Sequence, residues 1–237
     1  NALLDENHGV IKSLDEIGAI GHRLVHGGEK FTKSVLIDDS VMELMEDLID
    51  RAPLHNPACM AGVKAVTELL PNVKQGGCFD TAFHSTMKPA SYLYPIPYEY
   101  YEKYRVRRYG FHGTSHRFVA ENAAKFVGKD WKDQKIITCH LGSGASIAAV
   151  QNGESVDTSM GFTPVEGLMM GSRTGDLDLG VFMYIAEKEG FDMKQMNTLV
   201  NKKSGLIGIT GDKQDMRDVR AGKEAGDERA TYAFNMF

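Results

Sequence analysis

The chain has 237 residues, of which 42% are hydrophobic and 25% charged, a globular composition that allows one large domain or two smaller ones. Its formal net charge of −5 at pH 7 provides no broad positive field to attract a polyanion, so no nucleic-acid partner is expected. No apolar run approaches the roughly 18 residues that span a bilayer, and residues 1–12 lack the apolar stretch of a signal peptide. We therefore expect a cytoplasmic protein with no membrane partner.

The first part of the chain predicts alternating strands and helices. Residues 17–25 are rich in apolar side chains and lead into two glycines, which predicts a short buried strand. Ser40 and Glu43 have the spacing of a capping box in front of a helix whose apolar residues share one face. A second helix is predicted from Asn56, followed by a strand over residues 77–81. This order of elements indicates an α/β fold.

The middle of the chain contains the strongest strand signals. Residues 135–141, 145–150 and 154–158 are separated by glycine-containing turns, which predicts an antiparallel meander. A helix is predicted before the meander over residues 115–127, with Gly128 as the residue that ends it.

The rest of the chain is predicted to be largely helical. Apolar residues recur at helical spacing beyond Asp176 and again over residues 193–199, and residues 227–237 have a helix-forming composition. The glycines within residues 205–211 predict a break between helices.

The cysteines give no sign of a metal or redox site. Cys59, Cys78 and Cys139 are odd in number and far apart, and no C-x-x-C pair is present. We expect three buried free thiols.

Polar residues are concentrated beside glycines and at the ends of predicted strands, where irregular backbone directs side chains toward a ligand. Six segments have this character: residues 22–28, 54–57, 80–84, 110–116, 140–146 and 171–176. Zinc binding is the first interpretation, because His22/His26 and His112/His116 have the spacing of paired ligands. Neither pair has the glutamate of an H-E-x-x-H helix, and neighbouring glycines argue against a helix at either pair.

A serine hydrolase is the second interpretation. Ser143 or Ser146 would be the nucleophile, with Asp80 and a histidine completing the triad. The sequence around Ser143 lacks the spacing of the G-x-S-x-G motif.

Phosphate chemistry is the third interpretation. A glycine turn between antiparallel strands presents N–H groups that bind phosphate oxygens, and Gly142 and Gly144 fit that role, with Ser143 as a further donor. Two arginines in separate segments, Arg23 and Arg173, would supply charge to opposite sides of a transferring phosphoryl group. His112 would donate to a phosphoryl oxygen, and Asp80 would face Mg²⁺ directly or through water.

Six motifs together identify a family. They are GHRLVHGGEKF (21–31), PLHNP (53–57), FDTAFHSTM (79–87), RRYGFHGTSHRFV (107–119), HLGSGAS (140–146) and DTSMGFTPVEGLMMGSRTGDLD (157–178). In content and order they resemble the acetate and propionate kinases, from about Ile17 to Phe237. YGFHGTSH and GFTPVEGLMMGSRTGD are specific to these enzymes.

The resemblance implies an acetate kinase, which transfers the γ-phosphoryl group of ATP reversibly to acetate by direct in-line transfer and forms acetyl phosphate and ADP. It implies the actin-like sugar-kinase fold, an α/β architecture of two RNase H-like domains that close over a cleft. Residues 1–84 would form part of the first domain and residues 85–237 the larger part of the second. It also implies Mg²⁺, with Mn²⁺ as a substitute, and a homodimer, for which the tyrosine-rich residues 89–109 would supply interface surface.

The resemblance further implies roles for individual residues. The catalytic residues would be Arg23, Asp80, His112 and Arg173. Together they would clamp acetate and the phosphoryl group, stabilise the transition state, and place the metal and acetate. Acetate would bind Arg23 beside His55, with its methyl group in a pocket formed by Val25, Leu54, Phe111 and Pro164, residues that would otherwise be assigned to core packing. The nucleotide phosphates would bind His140, Gly142, Ser143 and Gly144.

The chain departs from the family pattern in three ways. The phosphate-binding turn N-x-G-S-S-S-x-K that opens family members does not precede Ile17, and neither the later adenosine loop nor the Mg²⁺-associated glutamate is present. Ser143 replaces the usual asparagine of the phosphate loop, and Leu179 replaces a common proline. We therefore expect the sequence to be an internal part of a longer chain, with an exposed sheet edge and apolar surface in the residues up to about 84.

Two alternatives remain open. One methylene contributes only about 1–3 kcal/mol to discrimination, so the enzyme could be a propionate or other short-chain acyl kinase. The other alternative is a catalytically incomplete fragment that serves only as a binding or assembly module.

Overall fold

The computed structural model describes residues 2–49 and 56–237. The chain divides into two compact units, Asn1–Ser85 and Thr86–Phe237. The interpretation of these units as parts of two RNase H-like domains stays a prediction.

The first unit contains a three-stranded mixed sheet in the order β1-β3-β2. Strand β1 (Ala19–Leu24) runs parallel to the central strand β3 (Lys74–Phe79), and β2 (Val35–Leu36) pairs antiparallel with β3. Strand β3 ends earlier than the predicted residues 77–81, so Asp80 lies directly after the strand. Strand β1 is an edge of the sheet in the described part of the chain.

Two helices pack in the core of this unit, α1 (Asp39–Glu46) and α2 (Asn56–Leu69). Helix α1 is confirmed, but the predicted capping box is wrong. The N-cap is Asp38, whose carboxylate accepts a hydrogen bond from the Val41 N–H at 2.9 Å, while Ser40 Oγ donates to the same carboxylate at 2.7 Å. The core is formed mainly by Leu24, Phe31, Met45, Leu48, Met60, Val63 and Phe79.

The second unit contains the predicted antiparallel meander. Its strands are β4 (Lys135–Leu141), β5 (Ala145–Gln151) and β6 (Glu154–Thr158), in that order. Helix α5 (Gly113–Phe126) contacts β4, and Gly128 follows it with a φ of 71°, which confirms the predicted helix end. Two short helices, α3 (Pro89–Tyr92) and α4 (Glu99–Tyr104), precede it in the tyrosine-rich segment.

Helices follow the meander: α6 (Leu179–Glu189), α7 (Met193–Lys202), α8 (Gly205–Thr210), α9 (Met216–Glu224) and α10 (Glu228–Met236). Residues 205–211, predicted as a break, contain the short helix α8, whereas Gly205 and Gly211 at its two ends have φ of 66° and 90° and do interrupt the helical run. Leu206 of α8 packs with Val219 and Ala230 of the last two helices. Leu179 is the first residue of α6, a position where proline would lose no helical hydrogen bond, so either residue allows the helix to begin there.

The prediction of three buried thiols is also wrong. Cys59 and Cys78 are half-buried and Cys139 is exposed, although all three are free. Cys139 lies on the same side of β4 as Ile137 and Leu141, which are exposed as well. Within the described ranges, no helix has the length and apolar character that crossing a membrane requires.

Candidate active site

Arg23 and Asp80 form the first group of candidate residues. Leu24 pairs with Phe79 on the neighbouring parallel strand, so Arg23 and Asp80 lie at the edge of the sheet where both strands end. Arg23 Nε donates to Asp80 Oδ1 at 3.0 Å, and Nη2 donates to Oδ2 at 2.6 Å. The side chain of Asp80 is 2% exposed and that of Arg23 is 64% exposed. The hydrogen bond to Asp80 raises the pKa of Arg23 above its usual value.

Only some of the residues predicted to bind acetate in the first unit lie among the described residues. Val25 follows β1 and is half-buried. Thr81 Oγ1 accepts a hydrogen bond from the Gly27 N–H at 3.0 Å, which fixes the loop after β1. Leu54 and His55 lie outside the described residues.

His112 is the centre of a second group, which lies within the second unit. It is the N-cap of α5 and adopts the left-handed conformation, with φ 56° and ψ 21°, which is unfavourable for a residue with a side chain. Its ring stacks on His140 with centroids 3.9 Å apart, and its Nδ1 lies 2.8 Å from Ser146 Oγ. His140 Nδ1 in turn lies 2.9 Å from Ser115 Oγ. Backbone, stacking and hydrogen bonding therefore fix the His112 ring together.

Ser146 bridges two imidazole rings. Its Oγ lies 2.8 Å from Nδ1 of His112 and 2.7 Å from Nε2 of His116. The two histidines whose spacing suggested zinc thus contact the same hydroxyl. Ser146 is also fully buried, so it does not fit the nucleophile of a serine hydrolase.

The glycine turn between β4 and β5 is tied to the segment that carries Arg173. The Gly142 N–H donates to the Gly144 carbonyl at 3.0 Å and closes the turn, so this N–H is used inside the loop. The Ser143 carbonyl accepts from the Gly171 N–H at 3.1 Å. These two bonds fix the turn against the loop before Arg173.

Arg173 and His112 converge on this turn. A methyl group on Gly144 would lie 3.3 Å from Arg173 Nη1 and 3.3 Å from His112 Cε1. Arg173 Nη1 donates to the Pro164 carbonyl at 3.4 Å and lies 3.7 Å from Met170 Sδ, while no carboxylate of the described residues pairs with it. Burial lowers the pKa of Arg173 from its usual value. A partly desolvated guanidinium beside an imidazole favours an anion at this position.

Phe111 and Pro164, the pocket residues predicted in this unit, are respectively buried and half-buried. Phe111 directly precedes His112, and Pro164 contacts Arg173 through its carbonyl. Their assignment to an acetate pocket stays a prediction.

A half-buried network that sequence reasoning missed holds the segment around Pro164. Tyr94 Oη donates to Glu166 Oε2 and accepts from the Phe162 N–H at 2.9 Å. Arg108 Nη2 donates to Glu166 Oε1 at 2.6 Å. Burial, together with the hydrogen bond to Glu166, raises the pKa of Tyr94 well above its usual range. No local sequence pattern signals the network, because its members are far apart along the chain.

The chain is similar to known proteins of one family. The chain matches the family described as the acetokinase family over residues 1–237. The chain belongs to the acetokinase family. The match begins at residue 1, earlier than Ile17, where the motifs placed its start. An acetate kinase of Lachnoclostridium phytofermentans is 55% identical over 236 residues, which cover 100% of this chain and 60% of that protein. The chain thus spans about 60% of the length of the curated relatives it matches.

Solved structures of acetokinase-family enzymes have the same fold. The crystal structure of Porphyromonas gingivalis acetate kinase matches with a TM-score of 0.94 and 51% identity, over 100% of this chain and 59% of that chain. The crystal structure of a propionate kinase from Francisella tularensis subsp. tularensis matches with a TM-score of 0.90 and 46% identity, over 94% of this chain and 58% of that chain. These matches confirm the predicted α/β fold of the actin-like sugar-kinase class.

Proposed function

We propose that this chain is part of an acetate kinase, which transfers the γ-phosphoryl group of ATP to acetate and forms acetyl phosphate and ADP. The convergence of Arg173, His112 and Gly144 carries the proposal. A phosphoryl group in transfer spreads negative charge over three oxygens. A guanidinium, an imidazole and a glycine-containing turn are groups that stabilise such charge.

The proposed reaction depends on the alignment of the reactants and on the neutralisation of charge more than on proton transfer. Acetate is an anion at pH 7, so its oxygen attacks phosphorus without a general base. A bond forms between that oxygen and the γ-phosphorus as the bond to the leaving oxygen of ADP breaks in line with it. Arg173 neutralises the developing charge, and Nε2 of His112 donates to a phosphoryl oxygen. His140 and the turn of residues 142–144 bind the nucleotide phosphates.

Arg23 binds the acetate carboxylate in this proposal. Its guanidinium is oriented from the buried side by Asp80 and remains largely exposed on the other side. The methyl group of acetate occupies the apolar pocket assigned to Val25, Leu54, Phe111 and Pro164, beside His55.

A divalent cation, Mg²⁺ or Mn²⁺, enters the proposal on the family resemblance alone. In the described part of the chain, no three His, Cys, Asp or Glu residues are grouped so as to hold a metal ion. Both carboxylate oxygens of Asp80 are hydrogen bonded to Arg23. Direct metal coordination by Asp80 therefore does not fit, and contact through water is the arrangement we propose.

A propionate kinase is the second candidate, because the chain is 46% identical to a propionate kinase with the same fold. The ratio of kcat/KM for acetate and propionate separates the two. We further propose a cytoplasmic homodimer, for which the exposed Tyr98, Tyr100 and Tyr104 would supply interface surface.

The test uses the full-length protein that contains this chain. Acetyl phosphate formed from acetate and Mg-ATP is trapped as the hydroxamate. Arg173→Ala is expected to lower the rate on the order of 100-fold or more, because it removes a charge that stabilises the transition state. Arg220→Ala is the matched control, since Arg220 is exposed and pairs with Glu224, and it should leave the rate unchanged.

Two outcomes would contradict the proposal. An Arg173→Ala rate close to that of the unchanged protein removes Arg173 from the mechanism. A full-length protein that binds acetate or nucleotide without turnover would support the binding-module alternative. Assaying residues 1–237 alone beside the full-length protein shows whether the chain is active by itself.

A further inference from the structure

A chain of buried hydrogen bonds runs from His112 into the interior of the second unit. Ser146 Oγ connects Nδ1 of His112 to Nε2 of His116, and Nδ1 of His116 lies 2.7 Å from Thr138 Oγ1. Ser146, His116 and Thr138 are 0%, 1% and 2% exposed. These three side chains are shielded from solvent, so any effect that they have on a reaction passes through His112.

The shared hydroxyl couples the proton positions of the two rings. Ser146 has one hydroxyl proton, so between two neutral imidazoles it donates to one nitrogen and accepts from the other. If Ser146 donates to Nδ1 of His112, the ring proton of His112 lies on Nε2. His116 then donates from Nε2 to Ser146 and accepts at Nδ1 from Thr138 at 2.7 Å. In the reverse order Thr138 accepts from His116, its hydroxyl donates to the Ala148 carbonyl 3.5 Å away, and Nε2 of His112 carries a lone pair. Because 3.5 Å is long for an O–H···O bond, the first order gives Thr138 the shorter donor bond.

Arg173 favours the neutral form of His112 and does not by itself choose between the two orders. Its guanidinium converges with His112 on Gly144, and a nearby positive charge disfavours a second one on the imidazole. A neutral His112 attracts a phosphoryl oxygen only if Nε2 carries the proton, because a lone pair repels the anion. Stacking on His140 and the left-handed backbone hold the ring in one orientation, so the proton position is the variable that remains.

We propose that Ser146 is a positioning residue that, with His116 and Thr138 behind it, holds the proton of His112 on Nε2. The choice of Nε2 and the expected effect on rate rest on the proposed function. The proton position itself is measured in the resting protein, without turnover.

¹⁵N NMR of the full-length protein labelled in histidine tests the proton position directly, with His112→Gln used to assign the signals. We expect Nε2 of His112 to be protonated and Nδ1 to be an acceptor at neutral pH. We expect Ser146→Ala to give a mixture of the two tautomers. A resting His112 with its proton on Nδ1 overturns the proposal, whether or not the protein makes acetyl phosphate.

A double-mutant cycle tests the effect on catalysis. Ser146→Ala is expected to lower kcat by on the order of 10–100-fold, with a smaller change in KM for acetate, because His112 loses its preferred tautomer. In the His112→Ala background the same change should alter kcat by less than about twofold. Equal losses in both backgrounds mean a merely structural role and overturn the proposal.

Thr138 provides a matched pair of variants at the far end of the chain. Thr138→Val removes the hydroxyl at nearly constant volume, whereas Thr138→Ser keeps it. We expect a several-fold loss of kcat in the valine variant and rescue in the serine variant. Equal kcat in the two variants contradicts the hydrogen-bond chain.

Discussion

Arg23 binds both carboxylate oxygens of Asp80, one through Nε and the other through Nη2. The same two-bond arrangement recurs in α9, where Arg217 binds Asp215 through Nε at 2.9 Å and Nη2 at 2.7 Å. The carboxylate of the first pair is 2% exposed and that of the second is 44% exposed. The two pairs share their geometry and differ in burial, so they form a matched comparison.

Arg23→Lys is expected to lower kcat/KM for acetate on the order of 10-fold or more in the full-length protein. Lysine keeps the charge but cannot form the planar fork that orients the group against Asp80. Arg217→Lys makes the same change at the exposed pair and should leave kcat/KM unchanged. Steady-state kinetics measure both variants, and a lysine at position 23 that retains full activity would show that charge alone suffices.

Tyr94→Phe is expected to lower the free energy of unfolding by about 1–3 kcal/mol, because the Glu166 carboxylate and the Phe162 N–H each lose a half-buried hydrogen-bond partner. Tyr98→Phe is the control, since Tyr98 is 57% exposed and should change stability little. Urea unfolding monitored by circular dichroism measures both. Equal stabilities of the two variants would contradict the role of the network.

The same network predicts a loss of stability at alkaline pH. The folded pKa of Tyr94 is raised by burial and by Glu166, so its contribution is fully present below the unfolded tyrosine pKa of about 10 and declines as the pH rises further. Tyr94→Phe removes this titration. The unfolding free energy of the variant should therefore fall less steeply above pH 10, and parallel pH profiles would argue against a raised pKa.

Gly161→Ala is expected to destabilise the second unit by about 1–3 kcal/mol or more. A Cβ at Gly161 would lie 1.7 Å from Glu166 Oε2 and 2.2 Å from Tyr94 Oη, so the network would have to open. Gly62→Ala in α2 is the control, because a Cβ there meets no atom within 4 Å and alanine favours a helix by about 0.5–1 kcal/mol. Thermal unfolding should shift in opposite directions for the two variants.

Asp215→Asn is expected to flatten the stability profile in acid. The Arg217 guanidinium and N–H lower the pKa of Asp215 to about 2, below the unfolded value of about 3.9. The contribution of the carboxylate is therefore complete above about pH 4 and is lost as the pH falls toward 2. Asparagine keeps an N-cap oxygen for α9 but does not titrate. Urea unfolding between pH 4 and 2 should show the smaller slope, and an unchanged slope would contradict the lowered pKa.

Local sequence signals predicted those elements whose boundaries depend on nearby residues. The turn at Asn152 and Gly153 sets the β5–β6 hairpin, and Gly128 ends α5 through its positive φ. Helix α8 escaped prediction because glycine-rich residues have low helix propensity and tertiary packing of Leu206 overrides it. The exposure of Cys139 depends on which side of β4 is covered, and residue type does not determine that.

The candidate site was predictable where topology alone brings residues together. Arg23 lies near the end of β1 and Asp80 directly follows the parallel strand β3, so their proximity follows from the sheet order. Tyr94 and Glu166 could not be paired from sequence, because their contact depends on how two loops fold against each other. The hydroxyl of Ser146 between two histidines likewise depends on the packing of α5 against the meander.

The left-handed backbone of His112 sets a cost at one position against the contacts of the side chain that occupies it. A non-glycine residue at φ 56° costs on the order of 1 kcal/mol or more, a cost that glycine does not have. Glycine at this position would also lose the stacking on His140 and the bond to Ser146. A substitution at position 112 therefore changes the backbone preference and the ring contacts together, and its effect on unfolding is the sum of a gain and a loss.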